Sequence, residues 1–180
     1  KDLNFIAKNK GLNSSLKNKL RCVLAPSFIC TSLYRAAHQA HRLKINPLAK
    51  IIWWLNFLLF KVDIDYRAKL YGGLYMPHPI SIVVGDGVYS SADLKIMQGC
   101  TLGGSLGQTA TLEGNVIKQP HFFATSFIGI NSVIVGPLIF KESIFVAANS
   151  TITKQIEGGF LYASNKQKTL SPLHKESLFI

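Results

Sequence analysis

The sequence predicts a mainly β fold, a solenoid of hexapeptide repeats that follows an N-terminal α-helical segment. Apolar residues recur every six positions at Ile64, Leu70, Met76, Ile82, Val88 and Leu94, with Cys100 closing the run. The period returns at Phe122, Ile128, Ile134, Phe140, Val146 and Ile152. A helix would space apolar residues by three and four, and a simple strand by two. Six is the period of a solenoid in which an inward side chain of each hexad stacks on its equivalent in the next coil. Before Val62 the apolar spacing is helical instead.

In chain order, residues 1 to about 14 are largely polar and read as a loose lead-in. Asn13-Ser14-Ser15 offers an N-cap for a helix over LKNKLRCVLA. Pro26 interrupts, and Ser27 can cap a second helix over FICTSLYRAAHQAHRL. Asn46-Pro47 breaks that helix, and a third is expected from about Leu48 to Phe60. Hexads counted from 64 to 105 and from 122 to 157 number seven and six, far beyond accidental spacing in a β-sandwich. At three hexads per coil they make about four coils, with a loop over about 104–121 pushed out. Gly72, Gly85, Gly99, Gly103, Gly129 and Gly136 are candidates for the tight corners. The expected organisation is therefore a helical segment 1–61, a solenoid 62–157, and a tail 158–180 that leaves the solenoid and folds back on it.

Composition bounds the function. With 180 residues, 48% apolar and 16% charged, the chain is globular and rich in core. Cys22, Cys30 and Cys100 lack metal-type spacing and read as buried thiols of a reducing compartment. No apolar run reaches eighteen residues, and KDLNFIAKNK has no signal-peptide core. The opening Lys1 in place of Met points to processing or trimming. Of the net charge of +11, ten units fall in residues 1–71, where thirteen Lys and Arg face three Asp and Glu. A basic half beside a neutral one suits a polyanionic partner or a solvated helix face, but no nucleic-acid recognition motif accompanies it. Trp53, Trp54, Phe57 and Phe60, flanked by Lys50 and Lys61, fit packing against other helices or a partner subunit. They also fit an amphipathic helix over 48–61 resting on an anionic membrane surface.

The residues that carry chemistry sit in the first hexad run. His78 stands between Pro77 and Pro79, which stiffen the backbone around a side chain suited to general-base work near neutral pH. Asp63 lies fifteen residues earlier, three short of an eighteen-residue coil, so the pair is expected on adjacent coils near one corner. An Asp there can accept from one ring nitrogen and leave the other free as base.

VDIDYRAKLYGGLYMPHPISIVVG, followed by MQGCTLGG, resembles the serine acetyltransferase-like branch of the hexapeptide-repeat acyltransferases. Their pattern is an Asp-Ile opening, a His fifteen residues later in a G-x-x-x-x-H-P/A-x-G-I-V-I-G context, and then Q-x-V-T-L-G-G. The resemblance runs from Val62 to Gly104 and resumes from about Pro120 to Lys154; the helical lead-in resembles that of polysaccharide-associated members. It implies a left-handed parallel β-helix, a homotrimer with active sites between subunits, and acetyl-CoA as co-substrate without a metal. It also implies His78 as general base and Asp63 as its orienting partner. Gly103 and Gly104 would let the thioester approach the backbone, with an amide as oxyanion donor. Ala147 to Lys154 resembles the family's G-A-G-S-V-V-T-K, which puts Ala148 and Ile130 on the pantetheine and Thr153 and Lys154 near the nucleotide. Lys166 stands where the family often has an Arg in its tail.

The departures concern the acceptor. Where serine acetyltransferases carry Asp immediately before the His, this chain has Pro77, and where they carry Arg-His-Pro after the loop it has Lys118-Gln119-Pro120. A sugar hydroxyl on a glycan precursor is therefore the expected acceptor, with Lys118, Gln119 and His121 as candidate acceptor residues. Free serine is the alternative, and a non-enzymatic trimeric scaffold whose helices bind membrane or partner is another. A three-His metal site, as in β-helix carbonic anhydrases, is not expected, because the solenoid offers only His78 and His121. The expected location is cytoplasmic, with the inner face of the membrane as an option.

Overall fold

Four helices come first: α1 (Asp2–Asn9), α2 (Leu16–Val23), α3 (Pro26–Arg42) and α4 (Asn46–Phe60). They are seen in a computed structural model whose described residues are 1–12, 16–157, 159–163 and 166–169. Helix α1 corrects the expected loose lead-in. Phe5 and Ile6 are buried, and Asp2 holds Arg35 through both carboxylate oxygens at 2.8 and 2.9 Å. No other carboxylate precedes Asp63, and a first-turn position also sets Asp2 against the positive helix end. The proposed Asn13-Ser14-Ser15 cap lies outside the described residues. Ser27 does not cap α3 either: Ala25 occupies that position, Pro26 takes the first turn, where no N–H is needed, and Ser27 is buried inside the helix. Pro47 likewise falls within the first turn of α4, so that helix starts at Asn46 and not at Leu48. Lys61, at φ 54°, ends it in the left-handed conformation.

The chain then winds into a parallel β-helix of three sheets. The first holds β1 (Asp63–Ile64), β4 (Val83–Val84), β7 (Thr101–Gly103), β12 (Val133–Val135) and β15 (Thr151–Ile152). The second holds β2 (Lys69–Leu70), β5 (Tyr89–Ser90), β10 (His121–Phe122) and β13 (Ile139–Phe140). The third holds β3 (Leu74–Tyr75), β6 (Leu94–Ile96), β11 (Ser126–Ile128), β14 (Phe145–Val146) and β16 (Phe160–Ala163), with β17 (Lys166–Thr169) antiparallel on β16. A two-stranded hairpin of β8 (Ala110–Leu112) and β9 (Asn115–Ile117) projects from the loop.

Register shows why the hexad frame holds in the sequence and where it shifts. Val83 pairs with Thr101 and Val133 with Thr151, eighteen residues apart, whereas Thr101 pairs with Val133 across thirty-two because the hairpin loop adds fourteen (133 − 101 − 18). Asp63 pairs with Val83, so the first coil takes twenty residues, not eighteen. The two extra residues lie between Met76 and Val83, around His78. The period of six survives because each hexad points two side chains inward, two positions apart. Ile64, Val84, Leu102, Ile134 and Ile152 form one buried ladder; Ile82 and Cys100 belong to another, along with Val62, Ser132 and Ser150. The run Ile64-Leu70-Met76-Ile82 thus changes ladder at the insertion without breaking its count.

Tight corners use fewer glycines than expected. At the corner from third to first sheet the left-handed residue is Ser81, Gly99, Asn131 and Asn149 in successive coils, with φ between 54 and 73°. Asn tolerates that region better than most residues. Of the six candidate glycines only Gly99 and Gly136 have positive φ.

The core is a column of stacked side chains, with the fully buried rings of Phe122 and Phe140 stacked at 5.0 Å. Helix α3 closes its first coil. Tyr34 donates to the Ala68 carbonyl at 2.7 Å and accepts the Leu70 N–H at 3.2 Å, while Arg35 donates to the carbonyls of Leu70 and Gly72. Edge groups of β2 that would otherwise lack partners are thereby satisfied.

Candidate functional site

His78 sits in the corner between β3 and β4, on the segment that lengthens the first coil. Its side chain is exposed, Pro79 is buried, and the His78 carbonyl accepts the Ile80 N–H at 2.8 Å, which closes a tight turn. The Ser81 N–H donates to the Lys61 carbonyl at 2.9 Å and pins this turn to the end of α4. The two residues beyond eighteen let the imidazole stand clear of the coil.

Asp63 opens β1 beside that corner; its register partner in the next coil is Val83, five residues beyond His78. Among the described residues the hydrogen bond to the Asp63 carboxylate comes from Trp53 Nε1 at 3.1 Å, and none links it to His78. The expected pair therefore shares a corner, while the contact is made by Trp53, a helix residue expected either to pack or to rest on a membrane surface and not to meet Asp63. Asp63 could have been traced to Trp53 only through the turn at Lys61, which folds α4 back over β1.

The same corner recurs down the prism and carries the backbone positions expected to meet the donor. Ile130 and Ala148 stand at equivalent places on adjacent coils, and the Asn149 N–H donates to the Ile130 carbonyl at 2.7 Å. Parallel coils stack about 4.8 Å apart, so His78, Ile130 and Ala148 lie along one edge. Ala148, Thr153 and Lys154 are exposed, the last two just past β15. Gly103 faces open space, since a Cβ built there would meet nothing within 4 Å, whereas one on Gly104 would touch the Lys118 carbonyl at 3.4 Å. Lys166 lies on β17, and its side chain is outside the described residues.

Lys118, Gln119 and His121 are brought together at the opposite side of the first sheet, under the hairpin. There they line a cleft of about 600 Å³ with Lys69, Asp86 and Tyr89. Gln119 Nε2 donates to Asp86 Oδ1 at 2.6 Å, and Arg67 reaches the other Asp86 oxygen at 3.5 Å. The Gln119 amide also lies over Gly85, where a Cβ would be 2.2 Å from its oxygen. Tyr89 packs on His121 at 5.2 Å and on Phe123 at 5.4 Å between ring centres. Burial lowers the His121 pKa, a hydrogen bond with the Gly87 backbone opposes that, and the Lys69 charge lowers it further. Asp86 and Tyr89 were not singled out from the sequence, although the Gly85-Asp86-Gly87 setting marks Asp86 as a carboxylate on a narrow corner.

Within one protomer the residues thus form two groups. His78, Asp63, Ile130 and Ala148 follow the corner from the third to the first sheet, and the cleft follows the corner from the first to the second.

No protein-family model matches the chain. It is 24% identical over 149 residues to a serine acetyltransferase of Helicobacter pylori, an alignment covering 83% of this chain and 84% of that protein. Serine acetyltransferase 2 of Arabidopsis thaliana is 22% identical over 183 residues, covering 93% of this chain and 55% of the relative. Among solved structures, the serine acetyltransferase of Neisseria gonorrhoeae superposes with a TM-score of 0.75 at 22% identity, covering 93% of this chain. The Brucella abortus serine acetyltransferase in complex with coenzyme A gives 0.76 at 20% identity, also over 93% of this chain. The chain spans about two thirds of these solved relatives, 64% in both cases. N-terminal helices leading into a parallel three-sheet β-helix are the fold they share. In sequence and in fold, the chain is similar to the serine acetyltransferases, a hexapeptide-repeat transferase group.

Proposed function

We propose that this protein is an acetyl-CoA-dependent O-acetyltransferase. The observation that carries the reading is the prism edge on which an exposed, proline-flanked His78 stands in line with Ile130 and Ala148. Coenzyme A bound to relatives of the same fold supports acetyl-CoA as donor. Ile130, Ala148, Thr153 and Lys154 would hold it, and the open space at Gly103 would admit the thioester. In the reaction His78 takes the proton of an acceptor hydroxyl as its oxygen attacks the thioester carbonyl. The new C–O bond gives a tetrahedral oxyanion held by backbone N–H groups. Collapse breaks the C–S bond, and the thiolate recovers the proton from the imidazolium. Asp63, steadied by Trp53, sits at the same corner to bias the ring once substrate is bound. A homotrimer suits the geometry, because a cleft from one subunit could then complete the His78 edge of another.

Serine is the acceptor that the comparisons support: the similar proteins are serine acetyltransferases, and one gonococcal structure is a complex with serine. A second reading, a sugar hydroxyl of a glycan precursor, is favoured by Pro77 beside His78 and by Lys118-Gln119 after the loop. The buried thiols and the donor suit a cytoplasmic enzyme.

The test is coenzyme A release from acetyl-CoA with L-serine and with a panel of glycosides, read together with mass spectrometry of the acceptor. General-base catalysis contributes about 10²- to 10⁴-fold, so His78→Ala should lose that much turnover while still binding acetyl-CoA. Near-normal turnover in His78→Ala would sink the assignment.

A further inference from the structure

We infer that the open face of α4 docks on an anionic lipid bilayer surface. Apart from Asn46, Lys50 and Asn56 the helix is apolar, yet α3 covers only the side of Ala49 and Asn56. Leu48, Ile51, Trp54, Leu55, Leu58 and Leu59 are each between 41 and 63% exposed. A contiguous apolar surface of this kind marks an interaction site in a water-soluble fold. A shallow recess of about 320 Å³, lined by Pro47, Lys50, Ile51, Trp53 and Trp54, opens among them and suits acyl methylenes.

Charge decides what covers this face. From Asn46 to Phe60 there is no acidic residue, and exposed Arg42, Lys44, Lys50 and Lys61 flank or interrupt the apolar stretch. The nearest carboxylate, Asp63, is taken up by Trp53. A symmetric pairing of two copies through α4 would bring these cations against their counterparts. A bilayer carrying negative headgroups supplies both the apolar layer and the opposite charge. Fifteen residues span only about 22 Å as a helix, so α4 lies in the interface and does not cross a hydrocarbon core of about 30 Å. Trp54, more than half exposed, is placed for the headgroup region, where indole rings concentrate. Trp53, half-buried at the rim of the recess, gives its indole N–H to Asp63.

The inference is tested by floating the whole chain with phosphatidylcholine vesicles and with vesicles containing about one quarter phosphatidylglycerol. Capture by the anionic vesicles should exceed capture by neutral ones about tenfold and fall with added salt. Tryptophan emission should shift to the blue, and Trp54→Phe should remove most of the shift. Ile51→Glu and Leu58→Glu should each abolish capture without changing the melting temperature or the mass in solution; Lys44→Glu with Lys50→Glu should weaken it at unchanged mass. Equal capture by both vesicle types, or none, would overturn the inference. So would Glu variants that break the assembly into smaller species, because the face would then lie between copies.

Discussion

Trp53 donates its indole N–H to the carboxylate of Asp63 at 3.1 Å, and so ties the last helix to the first strand of the β-helix beside His78. The indole also stacks on Phe57 at 6.1 Å, so its ring is held independently of the hydrogen bond. Trp53→Phe should keep the packing and remove only the donor. If Asp63 steadies His78, kcat should fall roughly tenfold with the KM for acetyl-CoA unchanged, and Asp63→Asn should cost more, within the 10²–10⁴ range of general-base catalysis. Steady-state kinetics of the two variants check this; a Trp53→Phe enzyme with wild-type kcat would show that the bond serves folding alone.

The hairpin cleft makes a separate prediction. Gln119 and Asp86 are joined at 2.6 Å across the cleft floor, and a hydrogen bond to a charged group contributes about 1.5–3 kcal/mol. Gln119→Ala should therefore raise the KM for the acceptor by roughly tenfold or more and leave the KM for acetyl-CoA near its original value. Equal rises in both constants would place Gln119 on the donor side.

The fold was legible from residue spacing because a solenoid repeats its environment: Ile134, Phe140, Val146 and Ile152, one inward side chain from each sheet in turn, read directly as period six. What spacing could not reveal is local. The two extra residues around His78 are hidden because two inward positions per hexad let the count pass from one ladder to another. Helix α1 was missed because what holds it is distant in sequence: Arg35 grips Asp2, and Tyr75 packs on Phe5. The corner residues were half legible, since Gly99 announces a left-handed turn but Ser81 at the same place does not. His78 and Asp63 could be found by motif, while Trp53 and Asp86 needed the chain folded back on itself.

Acidification should destabilise the protein in a defined window. His38 Nδ1 donates to the Tyr66 carbonyl at 2.8 Å, which leaves Nε2 as the unprotonated nitrogen, buried without a partner. Burial lowers the pKa of both His38 and His121, against backbone hydrogen bonds that raise it, and nearby cations lower it further. A histidine whose folded pKa lies below its unfolded value binds fewer protons in the folded state, so stability rises with pH. The contribution is complete above the unfolded value of about pH 6.5 and is lost progressively as the pH falls from there through the lowered folded pKa. Asp65 acts elsewhere: burial raises its pKa, the Arg67 hydrogen bonds and charge more than reverse this, and its stabilisation is lost only near and below about pH 4. The melting temperature should thus drop between pH 7.5 and pH 5.5, and His38→Gln with His121→Gln should flatten that drop. A profile unchanged in the double variant would assign the loss to other groups.

Two glycines should separate folding from catalysis. A Cβ on buried Gly129 would lie 2.5 Å from the Val146 carbonyl oxygen and 2.6 Å from the Ala148 nitrogen, both backbone atoms of the next coil. The Gly129 N–H already donates to that carbonyl at 2.7 Å, so no relaxation of a side chain can make room. Gly129→Ala must push the coils apart, at a cost of about 1–3 kcal/mol or more, and should lower the melting temperature by several degrees. Gly103 is the opposite case, because its added Cβ meets nothing and the residue lies in an extended strand. Gly103→Ala should melt with the wild type, yet the methyl would stand where the thioester approaches, so the KM for acetyl-CoA should rise or kcat fall by about tenfold or more. Calorimetry and kinetics on the pair decide the matter: a Gly103→Ala enzyme that is both stable and fully active would remove this strand from the donor site.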